Sequence, residues 1–125
     1  MNVKIDTKEK FNVITPVEVE ITENMTDDWA HTLLQFLEKD PPHLLVNMEN
    51  VKHLSMPAAE KLAEIQQTFY EKNFSLIVCC LSEAIEEQLE KSELLETMNI
   101  TPTESEGWDI MHMEEIEREL LDDEN

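Results

Sequence analysis

His53 and Ser55 stand two positions apart, and on an extended chain that spacing puts an imidazole and a hydroxyl on one face. A base beside a hydroxyl is the beginning of nucleophilic catalysis. The rest of such a site is missing, because no third orienting group and no oxyanion-hole motif accompany the pair. His31, His43, His53 and His112 are scattered over different segments, and no two have the spacing of a zinc site. Cys79 and Cys80 are adjacent, so on a strand they point to opposite faces and do not bridge each other. With no C-x-x-C pattern they read as small buried residues. The acidic residues spell no calcium loop, and a single glycine, Gly107, leaves no glycine-rich phosphate loop. These absences favour a protein that is not an enzyme and needs no metal or cofactor.

Ser55 itself has two readings. It caps a helix that follows at once, with Pro57 in the first turn. Alternatively it accepts phosphate, which would place roughly -2 charge at the helix end that favours anions. Met56 also stands between two readings, an adaptable apolar contact at the surface or simple core filling.

The elements that position this turn follow from periodicity. Val3–Ile5 and Asn12–Thr15 are short strand candidates, and Val17–Ile21 alternates as a half-buried strand does. Thr26 is read as an N-cap, with Asp27 and Asp28 adding negative charge to the first turn. Ala30, Leu33, Leu34 and Leu37 recur at helical spacing until Asp40-Pro41-Pro42 ends the run. His43–Met48 and Phe74–Leu81 are continuous apolar runs of strand length, which predicts central strands covered on both faces. Between them Ala58, Leu62, Ile65 and Phe69 form the buried stripe of a helix. Ser82 caps a further helix carrying Ile85 and Leu89. Residues 97–107 read as a polar connection, Trp108–Ile110 as a last short strand, and Met113, Ile116 and Leu120 as the lining of a final helix. Trp29 and Trp108 are expected to be packing anchors. Strands alternating with helices imply an α/β layer structure, and the early strands are too close together for crossover helices, so they should be antiparallel.

The chain has 125 residues, 29 acidic against 9 basic, and a formal net charge of -20. Nucleic acid and anionic membrane both need a cationic face, so neither is expected as a partner. From Glu83 onward there are 16 acidic residues against 2 basic ones, Lys91 and Arg118. The terminal LLDDEN reads as a frayed, solvated end. No apolar run approaches transmembrane length and no signal peptide opens the chain, so no membrane insertion is expected. Free thiols fit a reducing, cytoplasmic location.

The order of elements, and the sequence around the turn, resemble the STAS domain, the fold of bacterial anti-sigma-factor antagonists. The resemblance runs from Val13 to Leu120 and is clearest from Leu44 to Leu95. In that family a strand ending in a hydrophobic residue leads into a D-S-[SA]-G turn. A helix, a buried strand and an S-P-A-V-type helix start follow. Here Leu44–Asn47 is similar to the strand, Val51–Leu54 to the approach, and Ser55-Met56-Pro57-Ala58 stands at the motif. Leu76–Cys80 is similar to the next strand, and Leu81–Ile85 to the next helix start.

The resemblance implies an α/β fold, a mixed β-sheet of about four to six strands packed with about four helices. It implies one domain over residues 1–125, with a short acidic end from about 121. It also implies a non-catalytic protein-interaction module in bacterial signalling or transcription regulation. The partner would be of the GHKL-type serine kinase/anti-sigma-factor class, docking on Asn24, Met25, Ser55, Met56, Pro57, Ala59 and Glu60. In the family a partner kinase phosphorylates the motif serine. In this chain Met56 stands at that position, Ser55 replaces the aspartate and Ala58 the glycine, so the usual acceptor is lost. Two other roles are open to such a domain: a subunit of a larger assembly, such as a lipid-transport ABC system, or a small-ligand sensor.

Overall fold

A computed structural model describes residues 1–123. Its seven strands are β1 (Val3–Thr7), β2 (Asn12–Pro16), β3 (Glu20–Ile21), β4 (Leu44–Asn47), β5 (His53–Leu54), β6 (Leu76–Cys79) and β7 (Ile100–Thr101). The four α-helices are α1 (Thr26–Leu34), α2 (Met56–Glu71), α3 (Glu83–Lys91) and α4 (Glu104–Asp123). Five strands form one mixed sheet in the order β1-β2-β4-β6-β7, and β3 pairs with β5 in a separate ribbon. Only β1 and β2 are antiparallel; β2, β4, β6 and β7 run parallel, joined by crossovers through the helices. The antiparallel expectation for the early strands thus holds for one pair and fails for β3, which leaves the main sheet to run parallel beside β5.

The continuous apolar runs sit where their composition requires. Every residue of β4 and of β6 is buried. Leu44, Val46, Leu76 and Val78 face the cluster made with α1, α2 and α3, while Leu45, Ile77 and Cys79 face Met111 of α4. The predicted stripe of α2, Ala58, Leu62, Ile65 and Phe69, is buried as a unit. The phase of α1 differs from the prediction. Trp29 and Leu33 are its fully buried large side chains, whereas Ala30 and Leu34 are half-buried.

Several local expectations are corrected. Thr26 is not the N-cap of α1 but its first residue, preceded by a 3₁₀ turn over Glu23–Met25. Its hydroxyl donates to Glu23 O at 2.7 Å instead of accepting from the helix. Cys80 lies just past the end of β6 with φ 62°, so it does not share the strand geometry of buried Cys79. The last strand is Ile100–Thr101, inside the segment read as a connection, and Trp108–Ile110 are helical. Thr103 Oγ1 accepts from Glu106 N at 3.2 Å, so helix geometry begins before Trp108. Of the segment LLDDEN, read as a solvated end, Leu120–Asp123 belong to α4, and residues 124–125 lie outside the described residues.

With one glycine in the chain, other residues take the left-handed positions that close helices. Asn73 follows α2 with φ 67° and Glu93 follows α3 with φ 65°. In each case the next amide reaches back to the helix, Phe74 N to Phe69 O at 2.9 Å and Leu94 N to Leu89 O at 3.0 Å.

The inward line of α4 is unusual. It runs through buried Gly107 and Met111 and half-buried Glu114 and Arg118. A Cβ on Gly107 would lie 2.6 Å from Leu45 Cδ1, so this glycine serves close approach of helix to sheet, with no turn involved. Met113, Ile116 and Leu120, expected to line the core, are exposed.

Candidate functional site

Ser55 ends the β5 approach in extended backbone, and its Oγ accepts from Ala58 N at 3.2 Å as the N-cap of α2. Its own N–H donates to Ile21 O at 2.9 Å, which ties the turn to β3. The hydroxyl is therefore engaged with the helix, as the capping reading requires. Although His53 is exposed two residues earlier, the Ser55 hydroxyl faces the helix amides, an arrangement for capping and not for proton transfer.

Met56 and Pro57 form the first turn of α2. Met56 is 36% exposed and Pro57 half-buried. Gln88 of α3 reaches across, donating to Leu54 O at 2.8 Å and approaching Met56 Sδ at 3.3 Å. This bridge fixes α3 beside the turn. Between them lies a groove of about 280 Å³, lined by Ile21, Thr22, His53, Ser55, Ile85 and Gln88. Sequence reading missed α3 as a wall of this surface, because Gln88 carries no motif.

The 3₁₀ turn over Glu23–Met25 packs against α2, which brings Asn24 and Met25 beside that helix. Asn24 is exposed and Met25 half-buried, and Glu60 is exposed on the next turn of α2. Ala59 is a correction: it is 0% exposed and packs in the core with Ala58 and Leu62, so it offers nothing to a partner. The first turn of α2 holds no acidic residue, whereas α1, α3 and α4 each begin with two. In so acidic a chain this leaves the partial positive charge of the α2 N-terminus uncompensated.

A second polar cluster lies under α4, at the start of β6. Ser75 is 1% exposed. Its Oγ donates to Glu114 Oε1 at 2.6 Å and accepts from Arg118 at 2.7 Å. Asn99 donates to Glu114 Oε2 at 2.8 Å, and Ser75 N donates to His43 Nδ1 at 3.1 Å. Burial, and secondarily the Arg118 guanidinium, hold His43 below its usual pKa, against a smaller opposing pull from Glu115 and Glu114. Serine, histidine and glutamate therefore meet here. Yet the histidine accepts a backbone N–H and the serine hydroxyl is spent on the helix, so the cluster clasps α4 to the sheet. Burial and the neighbouring Cys80 raise the Cys79 thiol well above its usual pKa, which keeps it protonated. Among the described residues no group of His, Cys, Asp or Glu side chains is arranged to hold a metal ion, and no helix is long and apolar enough to cross a membrane.

Comparison with known proteins agrees with this fold. The family model described as "STAS domain" matches residues 2–107. No curated protein matches the chain. Among solved structures, an anti-sigma factor antagonist from Mycobacterium paratuberculosis superposes with a TM-score of 0.74 at 17% identity, covering 89% of this chain and 93% of that one. An anti-sigma-factor antagonist (STAS) domain protein from Planctomyces limnophilus gives 0.72 at 19%, covering 88% and 97%. RsbS of Moorella thermoacetica gives 0.72 at 16%, covering 90% and 96%. At these identities the superpositions bear on the fold, and the α/β sheet with four helices is the one they share.

Proposed function

The chain belongs to the STAS domain family, and from that premise we propose that it is a non-catalytic docking module of bacterial signalling or transcription regulation. Its partner-binding surface is the α2 N-terminus with its flanks: Met56, Pro57 and Glu60 from α2, and Asn24 and Met25 from the preceding turn. The partner is a regulatory protein of the serine kinase/anti-sigma-factor class. Docking is constitutive, set by abundance or competition, without a phosphate switch.

One observation carries this reading. The position where the family's acceptor serine belongs holds Met56, a residue 36% exposed. A thioether accepts no phosphate but adapts well to an irregular apolar partner. The neighbouring hydroxyl, on Ser55, is held by Ala58 N as a cap. The surface keeps its shape and loses its switch.

The test is capture from host cells on the tagged full chain, followed by binding of the purified kinase-class partner to wild type and to Met56→Glu. The expected result is direct binding by the wild type, at least tenfold weakening in Met56→Glu, and no phosphate on Ser55. Phosphate on Ser55 that releases the partner would refute constitutive docking. A transporter ATPase as the captured partner would replace this reading with that of an assembly subunit.

A further inference from the structure

We propose that the outward face of α4 is a second docking surface, built for a cationic amphipathic helix of a partner protein. Met113, Ile116 and Leu120 are 55%, 43% and 59% exposed. They follow one another at steps of three and four residues, the spacing of the apolar seam by which one helix packs on another. They lie opposite the line of Gly107, Met111 and Arg118 that faces the sheet, so no rotation of α4 could bury both lines at once.

The helix is held so that this face stays outward. Asn47, at the end of β4, donates to Glu104 at 2.6 Å, and Ser75, before β6, bonds Glu114 and Arg118. These contacts pin α4 at both ends of the strands it crosses. The stripe is therefore presented in one orientation before any partner arrives, which lowers the ordering cost of binding. It also lies after residue 107, beyond the family match, and across the sheet from α2. The surface proposed around Met56 does not account for it.

Charge selects the occupant. Glu117 and Glu119 flank Ile116 and Leu120, and Asp109 and Glu106 precede Met113 along the exposed side. Arg118 is the one cation of α4, and it turns inward to Ser75 and Glu114. A second copy of this chain would set glutamate rows against each other, the arrangement that opposes pairing at seam edges. An anionic membrane would be repelled for the same reason. A helix with an apolar seam bordered by Lys or Arg satisfies both the stripe and its rim.

The experiment uses the full chain and three labelled helical peptides of three heptads each. One has Leu and Ile at the seam with Lys on both edges, the second has the same composition permuted to destroy the seam, and the third has Glu on the edges. Fluorescence anisotropy should show the Lys-edged peptide binding at least tenfold tighter than the permuted one. The Ile116→Glu/Leu120→Glu chain should lose at least tenfold of that affinity, with its fold checked by circular dichroism. The Glu117→Lys/Glu119→Lys chain keeps the stripe and should transfer its preference to the Glu-edged peptide. Equal binding of the permuted peptide would reduce the effect to net charge and overturn the proposal. So would no binding at all, or a wild-type dimer in sedimentation that Ile116→Glu/Leu120→Glu dissolves.

Discussion

Arg118 donates to Ser75 Oγ at 2.7 Å across 43 positions of sequence, and Ser75 in turn donates to Glu114, which lies one helical turn before Arg118. The arginine and glutamate side chains are only 19% and 18% exposed, so solvent screens this clasp less than it would a surface pair. Arg118→Ala leaves a half-buried carboxylate and a buried hydroxyl each short of a partner. Hydrogen bonds to charged groups contribute about 1.5–3 kcal/mol, and a loss in that range is expected in urea unfolding. A loss under about 0.5 kcal/mol, the scatter of ordinary surface changes, would show that the clasp does not hold α4.

The same cluster shows where sequence reading reaches its limit. The strands β4 and β6 and the α2 stripe were legible because their inward positions are apolar except for Asn47 at the end of β4, so periodicity and burial agree. On α4 they disagree. Its inward line includes Gly107, Glu114 and Arg118, while its regular apolar spacing, Met113-Ile116-Leu120, belongs to the outward face. Apolar periodicity says that a helix has one apolar face but not that this face meets the core. At the site, the Ser55 cap was legible because its partner is three residues away. The wall formed by Gln88 was not, since it depends on contacts across 34 and 32 positions. Burial of Ala59 was missed because alanine fits both a surface and a core.

Gly107 gives a prediction in which two effects oppose each other. Alanine is the better helix former by roughly 1 kcal/mol, so on an exposed helix Gly→Ala would stabilise. Here the new Cβ would meet Leu45 Cδ1 at 2.6 Å and Thr101 Oγ1 at 3.3 Å. Leu45 is 0% exposed and packed among Val13, Ile77 and Met111, so it has little room to yield. Overpacking costs about 1–3 kcal/mol and should win. Gly107→Ala is expected to lower the thermal midpoint, and Gly107→Val to lower it further. A raised midpoint in Gly107→Ala would mean that Leu45 moves aside freely.

His43 should make stability depend on pH. Its folded pKa is lowered by burial and by Arg118, so the unfolded chain binds the proton more readily, at about pH 6.5. The sign follows by linkage: stability from this group is intact above pH 6.5 and is lost as the pH falls toward the lowered folded value. Protonation also removes the lone pair that accepts Ser75 N. Self-repulsion in a chain of net charge -20 acts the other way, easing as carboxylates take up protons. His43→Asn keeps an acceptor near the Nδ1 position and does not titrate, so the difference between the two chains isolates the histidine. In urea titrations the wild type should lose stability relative to His43→Asn between pH 7.5 and 5.5. Parallel curves would show that His43 is not held neutral.

Ser55 separates a cap from a switch. Ser55→Ala removes the acceptor for Ala58 N and should cost about 1 kcal/mol, with partner binding kept at temperatures well below unfolding. Ser55→Asp retains an acceptor and places a charge at the one α-helix N-terminus whose first turn has no acid. Its stability should equal the wild type or exceed it by a few tenths of a kcal/mol. Because Ser55 faces the helix while Met56 faces outward, Ser55→Asp is expected to keep partner affinity within a few-fold. Calorimetric binding of the purified partner to both variants checks this. A chain that is as stable as wild type but no longer binds, when only Ser55→Asp has changed, would mean that charge at this turn does control docking, and that the switch has moved back by one residue.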